Sequence, residues 1–188
     1  MRSIIVPIFL LLFCSCNALE SDILDEGFQE VEHFQAQGLD GEWRDAREYF
    51  DAEYNPSSES DPIEIWREFH KRTEYVADEA DEWRFARETY ESREGDCEDQ
   101  AILLCSALLK EGYDAWVVIG RTWTTGEESL HAWVMVREDD KTYYFNQTAY
   151  PWFFWVGLEA YNQLFRPGWK IYMAINNETI LMKPGEWD

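Results

Sequence analysis

The spacing of hydrophobic and polar positions divides the chain into a helical half followed by a strand-rich half. Ala101 to Leu109 is almost wholly apolar, which predicts a helix buried on most sides. Asp96 stands at its start as a candidate cap. Lys110-Glu111-Gly112 closes it, with a basic residue in the last turn and glycine just past the end. Further upstream, Asp61-Pro62 opens another helix with a cap and a first-turn proline, and Ile63, Trp66, Phe69 and Val76 recur at helical spacing. Trp83, Phe85, Ala86 and Tyr90 predict a second, shorter helix, and Gly41 to Tyr54 is a further candidate. Beyond Gly112 the pattern changes. Ala115 to Gly120 is a continuous apolar run, as for a central strand, and Leu130 to Val136 is similar. Lys141 to Asn146 alternates with aromatics, Glu138-Asp139-Asp140 makes the turn before it, residues 152–165 return to helix, and Trp169 to Ile175 reads as one more strand. Helices first and strands afterwards predict an α+β domain.

The 188-residue chain starts differently from the rest. Met1-Arg2-Ser3 is basic, and Ile4 to Phe13 is apolar apart from Pro7. That run is too short for a bilayer span, which takes ~20 apolar residues, and it matches the grammar of a secretory signal. Residues 1–16 therefore read as a signal peptide, residues 17–61 as an acidic N-terminal extension packed on the domain or partly loose, and residues 62–188 as the domain proper. Cys16 lies just after the apolar run, in Phe13-Cys14-Ser15-Cys16, as lipidation requires; ordinary cleavage after Ala18, starting the chain at Leu19, and a buried N-terminal helix are the alternatives. On this reading the protein is exported, as a periplasmic or cell-envelope lipoprotein attached through Cys16 or as a secreted protein. Asp and Glu outnumber Lys and Arg by 38 to 16, for a net charge of −22. That balance disfavours nucleic acid and anionic membrane surfaces as partners, and a solvated acidic surface accounts for it.

Past the first segment only Cys97 and Cys105 remain. Eight residues along a helix rise about 12 Å, too far for a disulfide. Cys105 lies among leucines and reads as a core residue. Cys97 sits at the helix start, where unpaired N–H groups and the helix dipole favour a thiolate and an oxyanion. A nucleophilic cysteine needs a base and a group that orients the base. His131 starts one strand of the predicted hairpin and Asn146 ends the other. A register with 131 opposite 146, or one shifted by two residues, leaves both side chains on one face. The Asn146 amide oxygen then accepts from one ring nitrogen and leaves the other for the thiol. On spacing alone, His131 is equally well a satisfied structural histidine.

Gly95-Asp96-Cys97-Glu98-Asp99, the apolar helix, Gly112-Tyr113-Asp114-Ala115, His131-Ala132-Trp133 and Asn146-Gln147-Thr148 together resemble the transglutaminase-like superfamily, most of all its bacterial cysteine proteinases. Tyr75, Asp78, Trp83 and Glu88-Thr89 resemble that family's lead-in. The likeness covers roughly residues 62–150. It implies a papain-like α+β fold, with the nucleophile at the start of a buried helix packed on an antiparallel sheet. It also implies a triad of Cys97 as nucleophile, His131 as general base and then acid, and Asn146 as orienter. Asn146 departs from the family's usual aspartate and matches the papain arrangement.

The implied activity is acyl transfer on an amide bond of a protein or peptide, as peptidase, amidase or transglutaminase. The alternative is a weakly active or inactive transglutaminase-like binding module. No cofactor is required by that chemistry. The three acids around Cys97 oppose a thiolate, so they must be capped, paired with Arg93, Arg87 or Arg121, or neutralised by calcium, whose ligands are hard oxygens. The aromatics from Tyr150 to Trp169 form either core or a cleft wall.

Overall fold

A computed structural model describes residues 27–51, 61–78, 82–123, 128–138, 141–146 and 170–185. The expected signal segment, the helix over 152–165 and all of the aromatics from Tyr150 to Trp169 lie outside those residues.

The anchoring element is helix α3, Cys97–Lys110. Its residues from Glu98 to Leu108 are all buried, as the near-continuous apolar run predicts. It ends where Gly112 turns to φ +87°. The Gly112 N–H then donates to Leu109 and the Tyr113 N–H to Leu108, both at 3.0 Å. This paired closure uses up the last carbonyls of the helix, and glycine meets its backbone requirement without strain.

Helix α3 packs on a six-stranded antiparallel sheet. Its strands are β1 (Gln29–Glu30), β6 (Asp114–Trp123), β7 (Glu128–Glu138), β8 (Lys141–Phe145), β9 (Lys170–Ile175) and β10 (Ile180–Met182), in the spatial order β1-β10-β9-β6-β7-β8. On the helix side, Val117, Ile119, Ala132, Val134 and Met173 join one core with Ile102, Leu104 and Leu108. On the other side, Trp116, Val118, Trp133, Met135 and Ile171 form a second cluster. Both faces of β6 and β7 are covered, so these strands read as continuous apolar runs rather than alternating ones.

Helices α1 (Pro62–Arg72) and α2 (Ala86–Ser92) complete the helical side. Asp61 caps α1 by accepting from the Ile63 N–H at 2.8 Å. The buried face of α1 is Ile65, Trp66 and Phe69, whereas Ile63 is exposed and Val76 lies past the helix end. The expected stripe of Ile63, Trp66, Phe69 and Val76 thus starts one position off the inward face. Two very short strands, β4 (Glu74–Tyr75) and β5 (Glu94–Gly95), pair in parallel just before α3.

The segment from Gly41 to Tyr54 is not the expected single helix. Trp43–Asp45 is strand β3, which pairs with β2 (Gln35–Gln37), and only Ala46–Tyr49 turns as a 3-10 helix. Asp45 decides this: its carboxylate takes the Arg47 N–H at 3.1 Å and its guanidinium at 2.7 Å, ending the strand at a tight cap. Tyr49 is fully buried and donates to the Ala36 carbonyl at 3.1 Å. Residues 27–51 therefore share the core of the domain, and β1 extends its sheet.

A bulge interrupts the β6–β9 pairing between Ile119 and Gly120, and Gly120 stands opposite His131 in β7. A Cβ at Gly120 would sit 2.1 Å from the Lys170 carbonyl oxygen. Only glycine allows β9 to approach so closely here. Gly120→Ala is expected to lower unfolding stability by about 1–3 kcal/mol, the usual cost of overpacking, read as the urea midpoint.

Candidate functional site

The start of α3 is buried, and it carries three carboxyls. Asp96 occupies the cap position, and Asp99 reaches back to accept the Asp96 N–H at 3.3 Å. Asp99 also accepts the Arg84 N–H at 2.8 Å and pairs with its guanidinium at 3.2 Å. Arg84 is thus the cation at Asp99, rather than Arg87, which pairs with Asp51, or Arg93, the exposed left-handed cap of α2. Even so, burial and the Asp96 charge outweigh Arg84 and push the Asp99 carboxyl up to about 7.

Cys97 is half-buried at the first position of α3. Its Sγ donates to Glu98 Oε2 at 3.1 Å. Burial, the Glu98 charge and this hydrogen bond raise the thiol well above its ordinary range, while the Ala132 backbone N–H works the other way. The helix start alone favours a thiolate; the surrounding carboxyls reverse that expectation, because Glu98 faces the sulfur instead of pointing away. Glu98 is itself raised to about 9, by burial first and then by Asp96. Cys105 is fully buried in mid-helix, with its thiol raised by burial.

The hairpin brings the other two candidates together. Val134 pairs with Phe145 and Glu138 with Lys141, so Asn146 falls opposite Trp133 and diagonal to His131. This is the register shifted by two residues. His131 Nε2 meets Asn146 Oδ1 at 3.1 Å. With Asn146 accepting, Nε2 carries the proton. The ring also stacks on Trp133, centroids 6.1 Å apart. Burial holds the imidazole toward its neutral form, partly offset by Asn146. Cys97 and His131 line one cavity of about 200 Å³, which also touches Asp96, Glu98, Phe34 and Trp83. The structure therefore joins His131 to Asn146, sets His131 on the cavity that holds Cys97, and turns the thiol itself to Glu98.

With this geometry in place, comparisons with known proteins become informative. A family model described as the CEP76 peptidase-like domain matches residues 81–180, more than half of the chain. This chain belongs to the CEP76 peptidase-like domain family. Centrosomal protein of 76 kDa from Mus musculus is 38% identical over 73 residues, 39% of this chain and 9% of that protein. Its Danio rerio counterpart is 40% identical over 73 residues, with the same two shares. The chain thus spans about 9% of the length of these curated relatives. Among solved structures, calcium-bound Legionella pneumophila LapG superimposes with a TM-score of 0.52 at 18% identity, over 64% of this chain and 66% of LapG. That likeness shows the fold, a papain-like transglutaminase core of α+β class.

The expectation of an exported cell-envelope lipoprotein is overturned by these relatives, which are centrosomal proteins. That reading rested on a short apolar run, a signal of composition that no fold constrains.

LapG was solved both calcium-bound and EGTA-treated, and calcium is one expected answer to the acids at Cys97. Calcium takes six to eight oxygen ligands. Among the described residues, no group of three or more His, Cys, Asp or Glu side chains converges on a metal position. Asp99 is committed to Arg84 and Glu98 Oε2 to the thiol.

Two outcomes follow for the CEP76-type site. Replacing Glu98 with Gln removes the charge beside Cys97, so the thiol pKa falls. Each unit of fall raises the thiolate fraction about tenfold, and at pH 10, where the Glu98 carboxyl is ionised, iodoacetamide alkylation of Cys97 is expected to accelerate at least that much, read by mass spectrometry. The second concerns stability. Asp99 and Glu98 have folded pKa values above their unfolded ones, so the folded state holds the extra protons. Their favourable contribution is complete below about pH 4 and is lost as pH rises through about 7 and then 9. The urea midpoint is expected to fall between pH 6 and pH 10, and less so in Glu98→Gln.

Proposed function

We propose that this protein is a cysteine-dependent acyl-transfer enzyme acting on an amide bond of a peptide or protein. Cys97 is the nucleophile, His131 the general base and then acid, and Asn146 the orienter. The hydrogen bond from His131 Nε2 to Asn146 Oδ1, beside a cavity shared with Cys97, carries this reading. With Asn146 accepting, the proton sits on Nε2, and in this reading Nδ1 takes the thiol proton.

The resting pair is a neutral thiol and a neutral imidazole. Attack therefore couples to proton transfer. The Sγ proton passes to His131 Nδ1 as sulfur bonds to the carbonyl carbon. The carbonyl oxygen takes the electron pair and faces the N–H groups at the start of α3. The C–N bond then breaks, and the imidazolium gives its proton to the departing amine. The resulting thioester is hydrolysed by a water that His131 deprotonates, while an amine at that step would give a cross-link. Hydrolysis is the default, because water is abundant.

A second reading is a non-catalytic module that uses the same cavity for binding. The hydrogen bond from Cys97 to Glu98 favours it, since that bond holds the sulfur protonated.

Turnover of a fluorogenic peptide-amide library separates the two. Cys97→Ala is expected to abolish turnover. Asn146→Ala is expected to lower it by roughly a hundredfold, within the range general-base catalysis contributes, with the urea midpoint nearly unchanged. Asn146→Asp is expected to retain or raise activity, because a carboxylate better stabilises the imidazolium. Hydrolysis that survives Cys97→Ala, or a wild type with none, would favour the binding module.

A further inference from the structure

The cavity beside Cys97 carries two carboxyls, and its remaining walls are largely apolar, with two rings, Phe34 and Trp83, among them. Asp96 and Glu98 line it and are both more than nine-tenths buried, 8% and 6% exposed. Glu98 Oε2 takes the thiol hydrogen bond, whereas Oε1 is buried and meets no donor. The group facing Glu98 is a second carboxyl, Asp96, whose charge and hydrogen bond both raise it. Two such carboxyls compete for a single proton. None of the described lining residues is Lys or Arg. His131 is held toward neutral, and Arg84, behind the site, is engaged with Asp99. From β4, the exposed Tyr75 adds no positive charge, and its phenol is itself raised, by burial first and then by Cys97, Asp96 and Glu98.

The ligand chemistry follows from these groups. An anion would meet two carboxyls, and a neutral apolar group would leave Oε1 without a donor. A cation with N–H donors replaces the shared proton and satisfies Oε1, and the rings of Phe34 and Trp83 favour it at the walls. We propose that this cavity takes a cationic side chain of a peptide, a lysine ammonium or an arginine guanidinium, with Glu98 as its counter-charge. The inference rests on Cys97 marking a peptide-binding site. It adds a consequence for the thiol: a cation that claims Glu98 withdraws the acceptor from Cys97 and places positive charge beside it. Both changes favour the thiolate, and the sulfur is released toward His131. A basic side chain would then activate the nucleophile as it binds.

The test uses the full chain and measures the pH midpoint of Cys97 alkylation by iodoacetamide. The midpoint reports the thiol pKa even where a ligand slows access. The probes are n-butylammonium and n-butylguanidinium, with n-butanol and sodium chloride at matched concentration as controls and calcium chloride as a separate arm. The expected result is a saturable fall of at least one pH unit with an organic cation, a tenfold rise in thiolate at fixed pH below the midpoint. The stronger of the two cations identifies lysine or arginine. Glu98→Gln is expected to start with a lower midpoint and to lose the response. Saturation-transfer NMR of n-butylammonium on wild type gives binding without any variant. A midpoint that neither cation moves would overturn the proposal, as would an equal shift with n-butanol, or a shift with calcium alone. Those failures leave the catalytic reading standing if Cys97→Ala still abolishes turnover. A surviving cation response in a protein without turnover would instead fail the catalytic reading alone.

Discussion

The site depends on helix α3 beginning inside the protein rather than at its surface. A helix start exposes unpaired N–H groups and a positive dipole end, which ordinarily lowers the pKa of a thiol placed there. Here the start is pressed against β7 and held by Asp99, which ties the backbone and side chain of Arg84 to the cap at Asp96. The anchor fixes Cys97 beside the hairpin. It also desolvates three carboxyls within four residues of chain. Burial then becomes the first cause of every raised value in this cluster, at Cys97, Glu98 and Asp99 alike. The dipole and the Ala132 N–H act against that effect without overcoming it.

The two halves of the site are tuned differently. His131 and Asn146 form a finished pair, with the tautomer set by a 3.1 Å hydrogen bond and the ring backed by Trp133. The thiol is not committed to that pair in the resting geometry, because Glu98 holds it. A cysteine enzyme with a preformed thiolate–imidazolium pair would show the reverse. Here activation requires that something reach Glu98, which links recognition in the cavity to the chemistry at sulfur. Gly120 contributes from the other strand: only its missing side chain lets β9 close against β6 directly opposite His131.

Much of this was legible in the sequence where local signals were long. The apolar run from Ala101 to Leu109, closed by Gly112, defined α3 and its Schellman-type end. The turn read at Glu138-Asp139-Asp140 left the hairpin registers that keep His131 and Asn146 on one face. What escaped was short or non-local. Strands β1 and β10 have two and three residues, too few for a period to show. Asp45 ended a strand and capped a 3-10 turn inside the expected helix through contacts with Arg47, and Arg84 reaches Asp99 across fifteen positions from an irregular segment. The acids around Cys97 were visible as a conflict with a thiolate. Sequence offered capping, neutralisation or side chains turned away as answers and could not choose among them, since the direction of the Glu98 side chain depends on packing against the sheet.

The central claim is that Glu98, in a buried carboxyl pair, keeps Cys97 protonated beside a ready His131–Asn146 dyad. The most direct measurement is the ionisation of Cys97 itself, followed by its 13Cβ chemical shift in cysteine-labelled protein across pH 5–11. The account predicts a thiol that persists past pH 9, with no coupled change in the His131 ring near neutrality. A thiolate formed below pH 7, titrating together with the imidazole, would contradict it.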